Sequence, residues 1–215
     1  MKLIKKTALL LVFVSFFSCS NDEEDFSTSS IAKENASELE KSGSRYMTYG
    51  DVVTIFHFNS RKFFTGEANG DATINKQWNS STPWVNNVWF PYAKFKIVNP
   101  NNPSSTALVK TGDEIALRCI ANNYYICAES WDDDVNVNRT AIGPWEKWRV
   151  YAPSNVTVGN SIFYSSVGYL SMVSLKSTWN KYLRPDGSGS AKAGAPFDPT
   201  TSVLSNLNCF QMSKQ

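Results

Sequence analysis

The chain has 215 residues, 13% aromatic and 19% charged, which fits one large or two small folded domains and excludes a disordered, collagen-like or many-domain protein. A single histidine, His57, and four scattered cysteines exclude a zinc site of the usual spacing and count against a histidine-dependent triad. The formal charge of +2 rests on Lys2, Lys5 and Lys6: residues 47–215 hold 15 basic against 12 acidic side chains with no basic run, so nucleic acid is set aside as a partner.

Those three lysines precede an apolar run over residues 8–17, the length of a signal-peptide core and too short to span a bilayer. Residues 1–18 are therefore predicted to be an export signal. The run ends at Phe16-Phe17-Ser18-Cys19, which resembles a bacterial lipobox with Phe16 in the usual leucine position. The resemblance implies a lipidated Cys19, with palmitate among its acyl chains, as the mature N-terminus. The acidic stretch Asp22-Glu23-Glu24-Asp25 resembles the mark of lipoproteins carried to the cell surface, which implies an outer-membrane, lipid-anchored and surface-exposed protein. An ordinary secretory signal followed by a solvated linker is the plainer alternative. Residues 19–46 read as an acidic tether: residues 20–46 hold seven acidic and three basic side chains and too few apolar ones to offset the entropy of folding.

Three segments of the remaining chain align. The first runs from Gly50 through Ile55 and Phe64 to a closing Phe95-Lys96-Ile97. The second runs from Gly112 through Leu117 and Tyr125 to Trp148-Arg149-Val150, and the third from Val173 through Leu175 and Tyr182 to Phe210-Gln211-Met212. In each, an alternating apolar strand meets a polar turn and then an aromatic-led strand, a hairpin signature, and each ends in aromatic, spacer, aliphatic. Units that can bury their apolar faces only against one another predict an all-β fold, a single β-trefoil over residues 47–215. Aromatic residues at one repeat position, such as Tyr125 and Tyr182, are expected to fill one inner layer.

The second unit carries Ile115-Ala116-Leu117-Arg118-Cys119, Tyr125-Ile126-Cys127-Ala128-Glu129, Val135-Asn136-Val137-Asn138-Arg139 and Gly143-Pro144-Trp145-Glu146-Lys147-Trp148, four blocks in an order that resembles a fascin-type β-trefoil repeat. The first unit keeps Phe64, Glu67, Ala68 and Ile74-Asn75-Lys76; the third keeps Tyr182-Leu183 and its closing strand. Fascins bundle actin with several such domains in one chain, so actin binding is not carried over to this exported one.

Two places suggest a ligand. The first unit contains an insertion with Trp78, Asn79, Trp84, Asn86, Asn87 and Trp89, where tryptophan faces would meet sugar CH groups and amides would meet hydroxyls. The same tryptophans would serve equally well to cover the barrel end. Trp131 precedes Asp132, Asp133 and Asp134 in a turn, an arrangement open to Ca²⁺ or a sugar although not with the spacing of an EF-hand loop, and a solvated acidic turn fits it better. Trp145 and Trp148 read as core and barrel-mouth packing. Cys119 and Cys127 flank Asn122-Asn123, and a three-residue loop there would oppose them for a disulfide, whereas a two-residue turn would not. Glu67 and Glu129 occupy equivalent repeat positions, which suggests a shared structural role rather than a catalytic pair. The sequence thus predicts a non-catalytic binding protein without metal or cofactor, with polysaccharide or another glycan as partner. A surface protein is the alternative, for an adhesin or inhibitor, and a hydrolase with a carboxylate pair in a cleft is the third reading.

Overall fold

The computed structural model describes residues 46–77, 88–153, 157–162, 170–194 and 209–215. The export signal, the tether, Cys19, Trp78, Asn79, Trp84, Asn86 and Asn87 lie outside the described residues.

Within them the chain is all-β. Its strands are β1 (Val52–His57), β2 (Lys62–Gly66), β3 (Ala72–Gln77), β4 (Lys94–Val98), β5 (Glu114–Cys119), β6 (Tyr125–Ala128), β7 (Val135–Arg139), β8 (Trp148–Tyr151), β9 (Thr157–Val158), β10 (Ser161–Ile162), β11 (Leu170–Ser177), β12 (Tyr182–Pro185), β13 (Ala191–Gly194) and β14 (Phe210–Lys214). Six of them close a ring: β1 pairs with β4, β4 with β5, β5 with β8, β8 with β11, β11 with β14, and β14 returns to β1. Closure removes the exposed edges that an open sheet would offer. The other long pairs, β2 with β3, β6 with β7 and β12 with β13, are three hairpins over one end of the barrel.

Period-two alternation aims the aligned residues inward. Ile55, Leu117 and Leu175 share one core with Phe95, Trp148 and Phe210, and none of the six is more than 1% exposed. The spacers Lys96, Arg149 and Gln211 stay at least partly accessible on the outer wall. Two rings of backbone bonds tie the units together. At the hairpin end Ile74 N–H donates to Gly189 O, Val137 N–H to Gly70 O, and Ala193 N–H to Asp133 O, each at 2.7 Å. The three acceptors share a left-handed backbone, with φ of +92°, +95° and +63°, which glycine adopts freely and aspartate tolerates. At the base Met47 N–H donates to Ile162 O, Ile162 to Val109 O, and Val109 to Met47 O, each at 2.8 Å, with all three side chains fully buried.

One expectation needs correction, and one alternative left open by the sequence is decided. Tyr125 and Tyr182 are buried at equivalent positions, yet Tyr125 packs on the outer wall against Val98 and Ala116, separate from the central core. The inner layer belongs to the next residues, Ile126 and Leu183, with Phe64 of the first unit. Register shifts at Phe63/Thr65 and Tyr125/Ile126 allow neighbouring residues to be buried on opposite sides. Among the described residues Cys119, Cys127 and Cys209 are free: Arg118 pairs with Tyr125 around a five-residue connection between the strands, turned by Asn123 at φ +61°, so Cys119 and Cys127 are not opposed.

The buried thiols set a chemical expectation. Burial, and then the Glu129 carboxylate, push Cys127 up to about 12, and burial alone pushes Cys209 up to about 11. The native fold therefore keeps protons that the unfolded chain releases above the ordinary thiol value of 9.0. Stability is intact below that value and falls as pH rises toward about 12, by about 1.4 kcal/mol per pH unit for each thiol held protonated. Cys127→Ala should flatten the alkaline decline in a pH series of melts. A thiol titration of unreduced protein should find Cys119, Cys127 and Cys209 unreactive when native and all three reactive in denaturant; a single reactive thiol among them would mean that the other two are bridged.

Candidate functional site

The aromatic candidate that falls within the described residues is built on the β6–β7 hairpin. Glu129 follows β6 and is 4% exposed. Its carboxylate accepts from Arg139 Nη2 on β7 at 3.0 and 3.3 Å and from Asn136 Nδ2 at 3.4 Å. The β7–β8 connection forms a 3-10 turn over Pro144–Glu146, started by Pro144 and capped where Gly143 N–H donates to Glu146 Oε2 at 2.6 Å. Glu146 is also 4% exposed, and its other oxygen lies 3.9 Å from Arg139 Nε. Arg139 is thus clamped between two buried carboxylates. Burial works against its charge, and Glu129 and Cys127 together more than offset this, leaving the guanidinium above its ordinary value.

The clamp positions two aromatic rings. Arg139 lies 5.3 Å from the centroid of Trp145, and Trp131 meets Trp145 edge-to-face at 4.9 Å. Trp131 is 70% exposed and Trp145 half-buried, so a ring pair stands on the surface with a cation behind it. Trp145 therefore belongs to this surface rather than to the core, whereas Trp148 is fully buried and donates from Nε1 to Ile126 O at 3.2 Å.

The acidic turn is not simply solvated. Asp133 pairs with Lys181 and Asp134 with Lys192, both from the third unit, while Asp132 accepts from Asp134 N–H at 3.0 Å. These carboxylates brace the hairpin end, and among the described residues no His, Cys, Asp and Glu cluster is arranged to hold a metal ion. Glu67, the counterpart of Glu129, accepts from Thr73 at 2.8 Å and pairs with Lys76 at 3.3 Å. Each glutamate is thus committed to its own hairpin. His57 is 1% exposed, and its Nδ1 accepts from Ser60 N–H at 3.2 Å, so this nitrogen carries no proton in that arrangement.

Trp89 is half-buried and packs beside Phe63 at 5.6 Å and Phe90 at 6.1 Å in a small cluster on the outer wall. Sequence reasoning found Trp131 but missed Arg139 and the Trp145 contact. An arginine two positions beyond Val137, on the strand that follows Glu129, was the available signal.

No family model and no curated protein matches the chain. Among solved structures it is similar to a Caenorhabditis elegans protein of unknown function, with TM-score 0.58 and 12% identity over 80% of this chain and 98% of that one. It is also similar to part of the S. cerevisiae protein O-mannosyltransferase Pmt1-Pmt2 complex bound to the sugar donor, with TM-score 0.57 and 8% identity over 78% of this chain and 25% of that one. A designed 3-fold symmetric protein, ThreeFoil, aligns with TM-score 0.48 and 12% identity over 76% of this chain and 99% of that one. At these identities the likeness to the first two is one of fold, and it names no activity for this chain.

Proposed function

We propose that this chain is a non-catalytic, carbohydrate-binding surface lipoprotein built on a β-trefoil of the fascin-like kind, anchored to the outer membrane through Cys19. The trefoil assignment draws on the six-stranded barrel, its three hairpins and the two rings of backbone bonds. The functional reading rests on Trp131, whose ring is 70% exposed yet held against Trp145 at 4.9 Å. A large apolar ring kept in water and locked in orientation is costly unless something stacks on it, and the CH face of a sugar ring fits such a surface. A fixed ring also loses little conformational entropy on binding. Trp78, Trp84 and Trp89, with Asn79, Asn86 and Asn87, are proposed as a second contact region of the same kind.

The test is a polysaccharide panel in affinity electrophoresis, read for the native chain and for Trp131→Ala. Binding to at least one glycan is expected, with a loss of tenfold or more in the variant and a stability cost of about 1 kcal/mol or less, as for surface substitutions generally. Undiminished glycan binding by Trp131→Ala would remove the platform from the site. A protein partner without any glycan would favour the adhesin or inhibitor reading. Intact mass of the native protein reads the anchor: the mature chain should begin at Cys19 with acyl mass added, and an unmodified N-terminus elsewhere would refute it.

A further inference from the structure

We propose a second binding site on the barrel wall, a cationic pocket between β8 and β11 that takes the carboxylate of an acidic saccharide. The strand register creates it. Arg149 on β8 lies directly across from Glu114 on β5 and from Lys176 on β11, and all three side chains face outward. Lys147, just before β8, joins them at the edge of a cavity of about 150 Å³ that Asn180 also lines. Glu114 is the one carboxylate lining this cavity, and it serves two cations, lying 3.8 Å from Lys147 Nζ and 3.4 Å from Arg149 Nη2. Lys176 has no carboxylate within ion-pair distance among the described residues; its ammonium lies 5.7 Å from the Tyr182 ring.

Three cations against one carboxylate leave an excess of two positive charges, with Arg149 and Lys176 directly opposed across paired strands. Like charges in that relation repel, and an anion between them would relieve the repulsion. The corresponding outward row at the first closing strand is Val52, Lys96 and Arg118, where two cations are likewise opposed but without a carboxylate, and at the third it is Phe56, Gln211 and Met172, which carries no charge, so a cation pair oriented by a glutamate occurs on this wall alone among the three rows. Arg149 Nη2 donates to Glu114 Oε1 at 3.4 Å, which orients one side of the guanidinium fork. A planar fork suits a carboxylate better than a point charge does.

The sugar part follows from the rim. Trp179, between the lining residues Thr178 and Asn180 in sequence, does not itself line the cavity but is 40% exposed, an aromatic side chain in the adjoining turn. The cavity is smaller than the roughly 300–1,000 Å³ that encloses a drug-sized ligand, so it would grip one acidic ring of a chain lying along the wall. The choice of a saccharide rests on the carbohydrate-binding reading above; the anion preference stands on the pocket by itself.

Calorimetry on the full mature chain with trigalacturonate, maltotriose and acetate separates the possibilities. Trigalacturonate should bind at least tenfold tighter than maltotriose or acetate, and should weaken as salt is raised. Arg149→Gln and Lys176→Gln should each reduce its binding about tenfold, and Lys176→Arg should retain it. Thermal melts confirm that each variant folds. Equal binding of trigalacturonate and maltotriose, or no loss in the two glutamine variants, would overturn the proposal. Acetate binding as tightly as trigalacturonate would overturn its saccharide half and leave a bare anion site. Loss of neutral-glycan binding in Trp131→Ala bears only on the platform, so the two readings can fail separately.

Discussion

Removal of residues 209–215 is expected to abolish folding of the whole domain. Strand β14 pairs with β1 from Val53↔Lys214 to His57↔Phe210 and with β11 on its other side, so its loss opens the ring and exposes two edges. It also takes Phe210 and Met212, both fully buried, out of the core. Losses of that type are worth about 3–5 and 2–5 kcal/mol when made singly by truncation to alanine. Their sum matches the roughly 5–15 kcal/mol that holds a typical domain together. Circular dichroism of the shortened chain should show no cooperative melt; a cooperative transition within about 10 °C of the full chain's would show that the barrel does not depend on closure.

Trp148→Ala is the second large effect. The side chain is fully buried among residues of all three units, and its Nε1–H is the partner of the Ile126 carbonyl at 3.2 Å. Truncation leaves both a cavity and a carbonyl without its donor, and should cost about 3–5 kcal/mol in a denaturant titration. Trp148→Phe restores much of the volume without the donor and should fall below the alanine variant in cost. An alanine variant within about 1 kcal/mol of the parent would mean that the site collapses freely around the missing ring. That contrasts with the small effect expected at Trp131, so two tryptophans of the same repeat are separated by one measurement.

The repeat and its core were legible because period-two alternation writes burial directly into sequence: Ile55, Leu117 and Leu175 align, and so do Phe95, Trp148 and Phe210. The base was not. Ile162 completes the triangle with Met47 and Val109, but it lies only 53 residues after Val109, whereas Val109 lies 62 after Met47, so a constant spacing misses it. The cysteine register was hidden because it depends on the length of the 120–124 connection, which composition does not set. The ring pair was hidden for another reason: Trp131 and Trp145 belong to different connections and meet only because the turn at Pro144 and the Arg139 clamp bring them together. The wall pocket was invisible as a charge motif because its cations come from two separate stretches of chain, at 147–149 and at 176, and only strand register gathers them.

The base triangle also gives the molecule a near end and a far end. Met47 is its first member, so the chain preceding residue 46 joins the barrel at the base. The turn that carries Trp131 is at the opposite end, where Asp133 O accepts from Ala193 N–H in the hairpin ring. Anything that holds the protein by its N-terminal segment therefore attaches at the end away from the ring pair, so the attachment itself covers neither the ring pair nor the hairpin end.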